Sequence, residues 1–92
     1  MKPIQVTPHA KERIAARNLS SEMVKATVWN PDQIVPDEGD VNRQIYQSLF
    51  TDKKGKQKLL RVVVEETQDE IAVITVYPTS QIKKYWKIKN GL

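Results

Sequence analysis

The sequence predicts an α+β domain with an antiparallel sheet, on the basis of three observations. Two β-branched runs, residues 59–64 and 71–77, have no long spacer between them, so they should pair as a hairpin. Both runs are apolar at nearly every position, which indicates central strands covered on both faces. Two helical patterns precede residue 31, the strand patterns follow together, and a short helical end closes the chain; such segregation of helices and strands is typical of the α+β class.

Capping signals define two helices at the N-terminal end. Thr7 and Pro8 fit an N-cap followed by proline at the first helical position, and this helix should run to about Arg17. Asn18 can adopt the left-handed conformation that ends it. Ser20 caps the second helix, which the Asn-Pro pair at residues 30–31 terminates.

Four strands and a short helix account for the rest of the chain. We expect strands at 33–35, at 43–50 and in the hairpin, then a helix from Gln81 to about Trp86. Residues 87–92 should form a frayed basic tail. At 92 residues, with no linker or repeat, residues 1–92 form a single domain.

Alternation along the hairpin assigns side chains to the two sheet faces. Val62, Val64, Ile74 and Val76 should lie under the two helices. Arg61 then leaves the sheet on the opposite face. It is a candidate for binding a phosphate, and the alternative is a structural pair with an acidic neighbour such as Glu65 or a cross-strand acid.

Composition excludes several classes of protein. The absence of cysteine rules out disulfide scaffolds and thiolate chemistry. A single histidine and scattered carboxylates predict neither a metal site nor a cofactor. No apolar run has membrane length, so we expect no membrane partner and a cytoplasmic location. The net charge of +4 favours phosphate-bearing or acidic partners only weakly.

His9, Arg13 and Arg17 recur every four residues and therefore form one stripe on the first helix. Such a stripe is either a solvated basic face or an anion site, because guanidinium groups bind phosphate in a bidentate manner and histidine titrates near neutrality. Further lysines, among them Lys54, Lys56 and Lys84, either serve solubility or follow a nucleic-acid backbone. Tyr77, Tyr85 and Trp86 could stack on bases or complete the core.

Two segments carry a resemblance to a known family. Residues 9–24 (HAKERIAARNLSSEMV) look like the opening of a bacterial domain-of-unknown-function family, with His, Arg and Arg at four-residue spacing before a Ser-capped helix. Residues 73–78 (VITVYP) and 84–86 (KYW) resemble its close. That family is similar to the BrnT-like toxins of the RelE/ParE superfamily, which implies two N-terminal helices packed on a curved four-stranded antiparallel sheet.

The resemblance also implies an activity and partners. The ribonuclease members cleave mRNA without a metal, by attack of the 2′-hydroxyl on the adjacent phosphate. Arg61, Tyr77 and His9 would then be catalytic, and Arg13, Arg17, Lys54, Lys56 and Lys84 would bind RNA, with ribosome-associated mRNA among the candidate substrates. A separately encoded antitoxin would hold this toxin inactive. The alternative is a non-catalytic protein- or RNA-binding module on the same fold.

Overall fold

A computed structural model of the chain describes residues 2–88. Eight elements follow one another along the chain: β1 (Ile4–Val6), α1 (Pro8–Ala16), α2 (Ser21–Trp29), β2 (Gln33–Pro36), β3 (Arg43–Thr51), β4 (Gln57–Glu66), β5 (Ile71–Thr79) and α3 (Ile82–Tyr85). No helix between residues 2 and 88 is long and apolar enough to cross a membrane.

The five strands form one mixed sheet in the order β1-β5-β4-β3-β2. β1 runs parallel to the start of β5, and the other neighbours pair antiparallel. The predicted four-stranded antiparallel sheet with helices at its N-terminal end is therefore wrong, although the α+β class holds. The first element is a strand of three residues, which is too short to show a strand period in the sequence.

Both N-terminal helices begin and end as their capping residues predict. The hydroxyl of Thr7 accepts a hydrogen bond from the Ala10 amide at 3.2 Å, and the hydroxyl of Ser20 accepts one from the Met23 amide at 3.1 Å. Asn18 adopts a φ of 56°, which turns the chain sharply after α1. Both caps and the left-handed residue are confirmed.

The main core lies between the two helices and one face of the sheet. α1 contributes Ala10 and Ile14, and α2 contributes Val24 and Val28. They pack against buried side chains of the three central strands: Tyr46, Leu60, Val62, Val64, Val73 and Val76. Burial of each such aliphatic side chain stabilises the fold by about 1.5–3 kcal/mol, so this layer fixes where α1 lies on the sheet.

Ile74 lies on the opposite face of the sheet from the one predicted. An irregularity in the β4–β5 register pairs Val63 with Thr75 but Val64 with Val73, so Ile74 is the additional residue of a bulge. Val73 takes the place under the helices, and Ile74 packs with Val35, Ile45 and Val63. Simple alternation fails here because a bulge reverses the faces of the residues beyond it.

The C-terminal segment returns to the sheet near β2. α3 is the predicted short helix, although it covers fewer residues than expected. Beyond it, the backbone carbonyl of Lys87 accepts a 2.6 Å hydrogen bond from the Gln33 amide group, and the Lys87 amide donates to Gln33 at 3.1 Å. The proposed frayed tail is therefore held at Lys87, and its last four residues lie outside the described range.

Candidate functional site

The basic stripe of α1 borders an open groove beside the second half of β5. His9, Arg13 and Arg17 form one wall, and residues 75–78, including Tyr77, form the other. We call this depression, of about 410 Å³, the helix groove. All three side chains of the stripe are exposed, and buried Ala10 and Ile14 turn the stripe towards the strand rather than into the core.

Thr7 fixes the angle at which α1 leaves the sheet. Its amide and its hydroxyl donate to the Val73 carbonyl at 3.1 and 2.9 Å, while the same hydroxyl caps the helix through Ala10. This residue therefore joins β5 to the first turn of α1, the turn that carries His9. The strand partner β1 reaches only to Val73 along β5, so the stripe lies beside the part of β5 that β1 leaves uncovered.

A second depression continues from the helix groove around the end of β5. It has a volume of about 520 Å³ and shares Arg17 and Pro78 with the helix groove. Besides Arg17, its cations come from the β3–β4 turn and the start of β4: Lys54, Lys56 and Lys58. We call it the lysine groove.

Asp52 organises the turn that carries these lysines. One oxygen of its carboxylate accepts hydrogen bonds from the amides of Lys54 and Lys56, each at 2.9 Å. The bond from the Lys56 amide is the main cause that lowers the pKa of Asp52, and the Lys54 amide and the Lys58 ammonium act in the same direction. Gly55, with a φ of 81°, supplies the left-handed turn residue.

A third depression borders the lysine groove at Ser80 and Gln81 and includes Lys84. All five cations that were predicted to bind RNA therefore line a connected series of grooves. The series starts on α1, passes the lysine turn and ends on α3. Whether RNA binds there stays a prediction.

Arg61 lies on the sheet face opposite α1 and is only 6% exposed. Its Nε donates to the Gln47 Oε1 at 3.0 Å, and its Nη1 donates to the hydroxyl of Tyr77. Its Cζ also lies 4.0 Å from the ring centroid of Tyr85, within the range of a cation–π contact. No acidic side chain among residues 2–88 forms an ion pair with Arg61. Glu65, the predicted structural partner, instead lies 3.6 Å from the Nε of Arg43.

Gln47 is the important residue of this second cluster that the sequence interpretation missed. It is fully buried, and its amide nitrogen donates to the Gln33 Oε1 at 2.8 Å and to the Tyr85 carbonyl at 3.1 Å. This network ties the Arg61 cluster to the C-terminal segment. The sequence did contain a signal for Gln47. Because side chains alternate between the two faces of a strand, Gln47 shares its face with the apolar Ile45 and Leu49.

Tyr77 connects the two clusters. Its hydroxyl contacts Arg61, and the same residue borders the helix groove with His9. Arg61 is not among the residues that line that groove. The structure thus brings Tyr77 and Arg61 together on one face of the sheet, because they are cross-strand partners, and places His9 on the other face. Within residues 2–88, no three histidine or acidic side chains are grouped closely enough to hold a metal ion.

Comparisons with known proteins give one match. No curated protein and no solved structure matches the chain. The family model for the domain of unknown function DUF4258 matches residues 6–78, from the end of β1 to the end of β5. The match includes the stripe of α1, the lysine turn and Arg61. Because it spans well over half of the sequence, the chain belongs to the DUF4258 family.

Proposed function

We propose that this protein binds single-stranded RNA in the helix groove and cleaves it without a metal ion. The observation that carries the proposal is that His9, Arg13 and Arg17 together line one wall of an open groove beside residues 75–78 of β5. Two guanidinium groups can hold the oxygens of a phosphodiester, and an imidazole can move a proton near neutral pH. The neighbouring lysines extend the positive surface in the direction that a bound strand would follow.

The proposed reaction is transesterification within the RNA. The 2′-hydroxyl oxygen bonds to the adjacent phosphorus, the bond from phosphorus to the 5′-oxygen of the next nucleotide breaks, and a 2′,3′-cyclic phosphate remains. One proton leaves the 2′-hydroxyl, and one is added to the departing 5′-oxygen. His9 transfers one of these protons and solvent water transfers the other, because the predicted second group, the Tyr77 hydroxyl, lies with Arg61 on the opposite face of the sheet. Arg13 and Arg17 stabilise the charge on the phosphorane.

Arg61 acts in this proposal through Tyr77. It is buried, and it bonds to the hydroxyl of Tyr77. Its contribution is therefore to hold Tyr77, whose strand segment forms one wall of the helix groove, as a positioning residue, rather than to contact the phosphate. The resemblance to RelE/ParE toxins extends the proposal to a separately encoded antitoxin that keeps the nuclease inactive.

A non-catalytic RNA-binding module is the second candidate. It is favoured by the connected basic grooves, which suffice for backbone binding, and by the presence of a single histidine in the sequence. Binding without cleavage would separate it from the nuclease.

The test uses end-labelled unstructured RNA in the presence of a chelator, with binding followed by fluorescence anisotropy on the same preparations. We expect the wild-type protein to leave a cyclic phosphate. His9→Gln should lower cleavage by at least about a hundredfold while binding persists. The Arg13→Gln/Arg17→Gln double variant should weaken binding. Lys11→Gln, an exposed cation of the same helix outside the groove, is the matched control.

Each result has a defined meaning. Cleavage that survives His9→Gln rejects the assignment of His9, and binding without cleavage in the wild type favours the second candidate. Absence of binding rejects both. Inducible expression in bacteria, alone and with the adjacent open reading frame, adds a growth readout for the toxin–antitoxin part of the proposal.

A further inference from the structure

The lysine groove has a fixed geometric relation to the helix groove. Arg17 and Pro78 line both grooves, so an RNA strand that passes Arg17 enters the lysine groove directly. The α1 stripe from His9 to Arg17 covers about 12 Å at 1.5 Å per residue. That length corresponds to only about two to four phosphates, depending on how far the strand is stretched. Basic groups beyond Arg17 can therefore contact phosphates only if the bound RNA extends past the α1 stripe.

The lysines of this groove differ in whether an acidic side chain neutralises their charge. The Nζ of Lys58 lies 3.4 Å from a carboxylate oxygen of Asp52. Between residues 2 and 88, neither Lys54 nor Lys56 is in an ion pair, and both are exposed. Asp52 nevertheless fixes the backbone of both through their amides. The turn thus presents two unneutralised ammonium groups, two positions apart, from an ordered backbone.

Solubility alone would not require this placement. Lys53 belongs to the same turn and is exposed, but it does not line the lysine groove. Lys54 and Lys56 do, together with the polar Ser80 and Gln81 at the end of β5. Side chains with hydroxyl and amide groups beside ammonium groups are suited to phosphate and sugar contacts.

We propose that the lysine groove is an extension subsite that binds the phosphates on one side of the cleaved bond. The substrate class is accordingly a single-stranded RNA of at least about four nucleotides, rather than a dinucleotide or a free nucleotide. This inference rests on the proposed function, which assigns the helix groove to RNA. The subsite recognises phosphate, so it should not distinguish ribose from deoxyribose.

The experiment compares a dinucleotide, an octanucleotide RNA and the corresponding octadeoxynucleotide on the full chain. Wild-type protein should cleave the octanucleotide at least about tenfold more efficiently than the dinucleotide. The Lys54→Gln/Lys56→Gln variant should lose that advantage, so that it cleaves the octanucleotide and the dinucleotide with similar efficiency. The octadeoxynucleotide, which lacks the attacking hydroxyl, should bind and inhibit cleavage. For this ligand, the double substitution should make the slope of log affinity against log salt less negative by about 1.4.

Single substitutions supply the matched control. Lys53→Gln and Lys54→Gln remove the same charge from the same turn, but only Lys54→Gln should weaken octanucleotide binding. If both substitutions weaken octanucleotide binding equally, the overall positive charge of the turn attracts the RNA without a defined subsite, and the inference would be wrong. The same holds if the double variant keeps the full length dependence, or if the octadeoxynucleotide does not bind.

Failure of the proposed function gives a different pattern. If wild-type protein neither binds nor cleaves RNA of any length, both proposals fall together. If it cleaves the dinucleotide as well as the octanucleotide, only the extension subsite is rejected.

Discussion

The Nε of Arg61 donates a 3.0 Å hydrogen bond to the Oε1 of Gln47, its partner directly across the β3–β4 ladder, and both side chains are buried. A buried guanidinium is costly unless its donors are satisfied. Gln47 satisfies one donor, Tyr77 another, and the ring of Tyr85 lies against the charge. One sheet face therefore contains a cation whose neighbours are amides and phenols.

Gln47→Ala should destabilise the fold strongly. It leaves the Nε of Arg61 without its acceptor and removes one of the two donors to the Oε1 of Gln33, which costs about 2 kcal/mol of unfolding free energy. For a domain of this size we expect a fall in Tm on the order of 10 °C. Gln44→Ala, at an exposed position of the same strand, is the control for thermal unfolding. Equal Tm values for the two variants would show that the buried network contributes little.

Arg61→Gln should lower both stability and RNA cleavage, and its effect on cleavage should depend on Tyr77. Because the guanidinium bonds to the Tyr77 hydroxyl, the Arg61→Gln/Tyr77→Phe double variant should cleave RNA no more slowly than Tyr77→Phe alone. The measurement is a double-mutant cycle of cleavage rates, performed below the lowest Tm of the set. Additive losses would instead give Arg61 a direct role at the phosphate.

Binding of RNA in the helix groove should depend on salt through Arg13 and Arg17. Each phosphate contact on a single strand contributes about −0.7 to the slope of log affinity against log salt. Arg13→Gln/Arg17→Gln should therefore make the slope less negative by about 1.4, whereas Lys11→Gln should leave it unchanged. Anisotropy titrations between low and moderate salt measure this directly. A slope that is the same in all three proteins would remove these arginines from the interface.

Asp52 should stabilise the lysine turn only while it is ionised. Its pKa is lowered in the folded protein, chiefly by the hydrogen bond from the Lys56 amide. Its stabilising contribution is therefore present above the pKa of an ordinary aspartate, and it is lost as the pH falls through the lower, folded-state pKa. The difference in Tm between wild type and Asp52→Asn should be largest near neutral pH and should shrink in acid.

The control for this titration is Asp69→Asn, which removes a carboxylate from the β4–β5 turn. A difference between wild type and Asp52→Asn that stays constant down to strongly acidic pH would contradict the assignment.

Thr7→Ala should loosen the start of α1. It removes the cap on Ala10 and the hydroxyl bond to Val73, at a cost of about 1–2 kcal/mol in unfolding free energy. Thr7→Ser keeps the hydroxyl and should retain most of the stability. Chemical denaturation compares the three proteins. A serine variant as unstable as the alanine variant would mean that the methyl group, rather than the hydroxyl, is the important contact.

Local signals predicted the two N-terminal helices and the placement of Arg61 on the second sheet face, because caps and strand parity depend on near neighbours. Two features required information from distant parts of the chain. The position of Ile74 depends on a bulge that the hydrophobic pattern does not reveal, and β1 is recognisable only from its pairing with Ile71–Val73 of β5.

The site shows the same division. Spacing alone places His9, Arg13 and Arg17 on one side of α1. That this side borders Tyr77 follows from the packing of α1 on the sheet and from the Thr7 contact with Val73. The partners of Arg61 also required the strand register, since Gln47 is far from it in the sequence and carries no charge.

The parallel pairing of β1 with β5 has a consequence for the order in which the protein folds. The two strands lie near opposite ends of the described chain, so closing this contact orders nearly every residue between them and has a large entropic cost. Contacts of such sequence separation slow folding. During synthesis from the N-terminus, α1 emerges early, but the strand that forms the other wall of its groove is made only after β4. The helix groove should therefore be among the last features to form, and a nascent chain that ends before β5 should lack it.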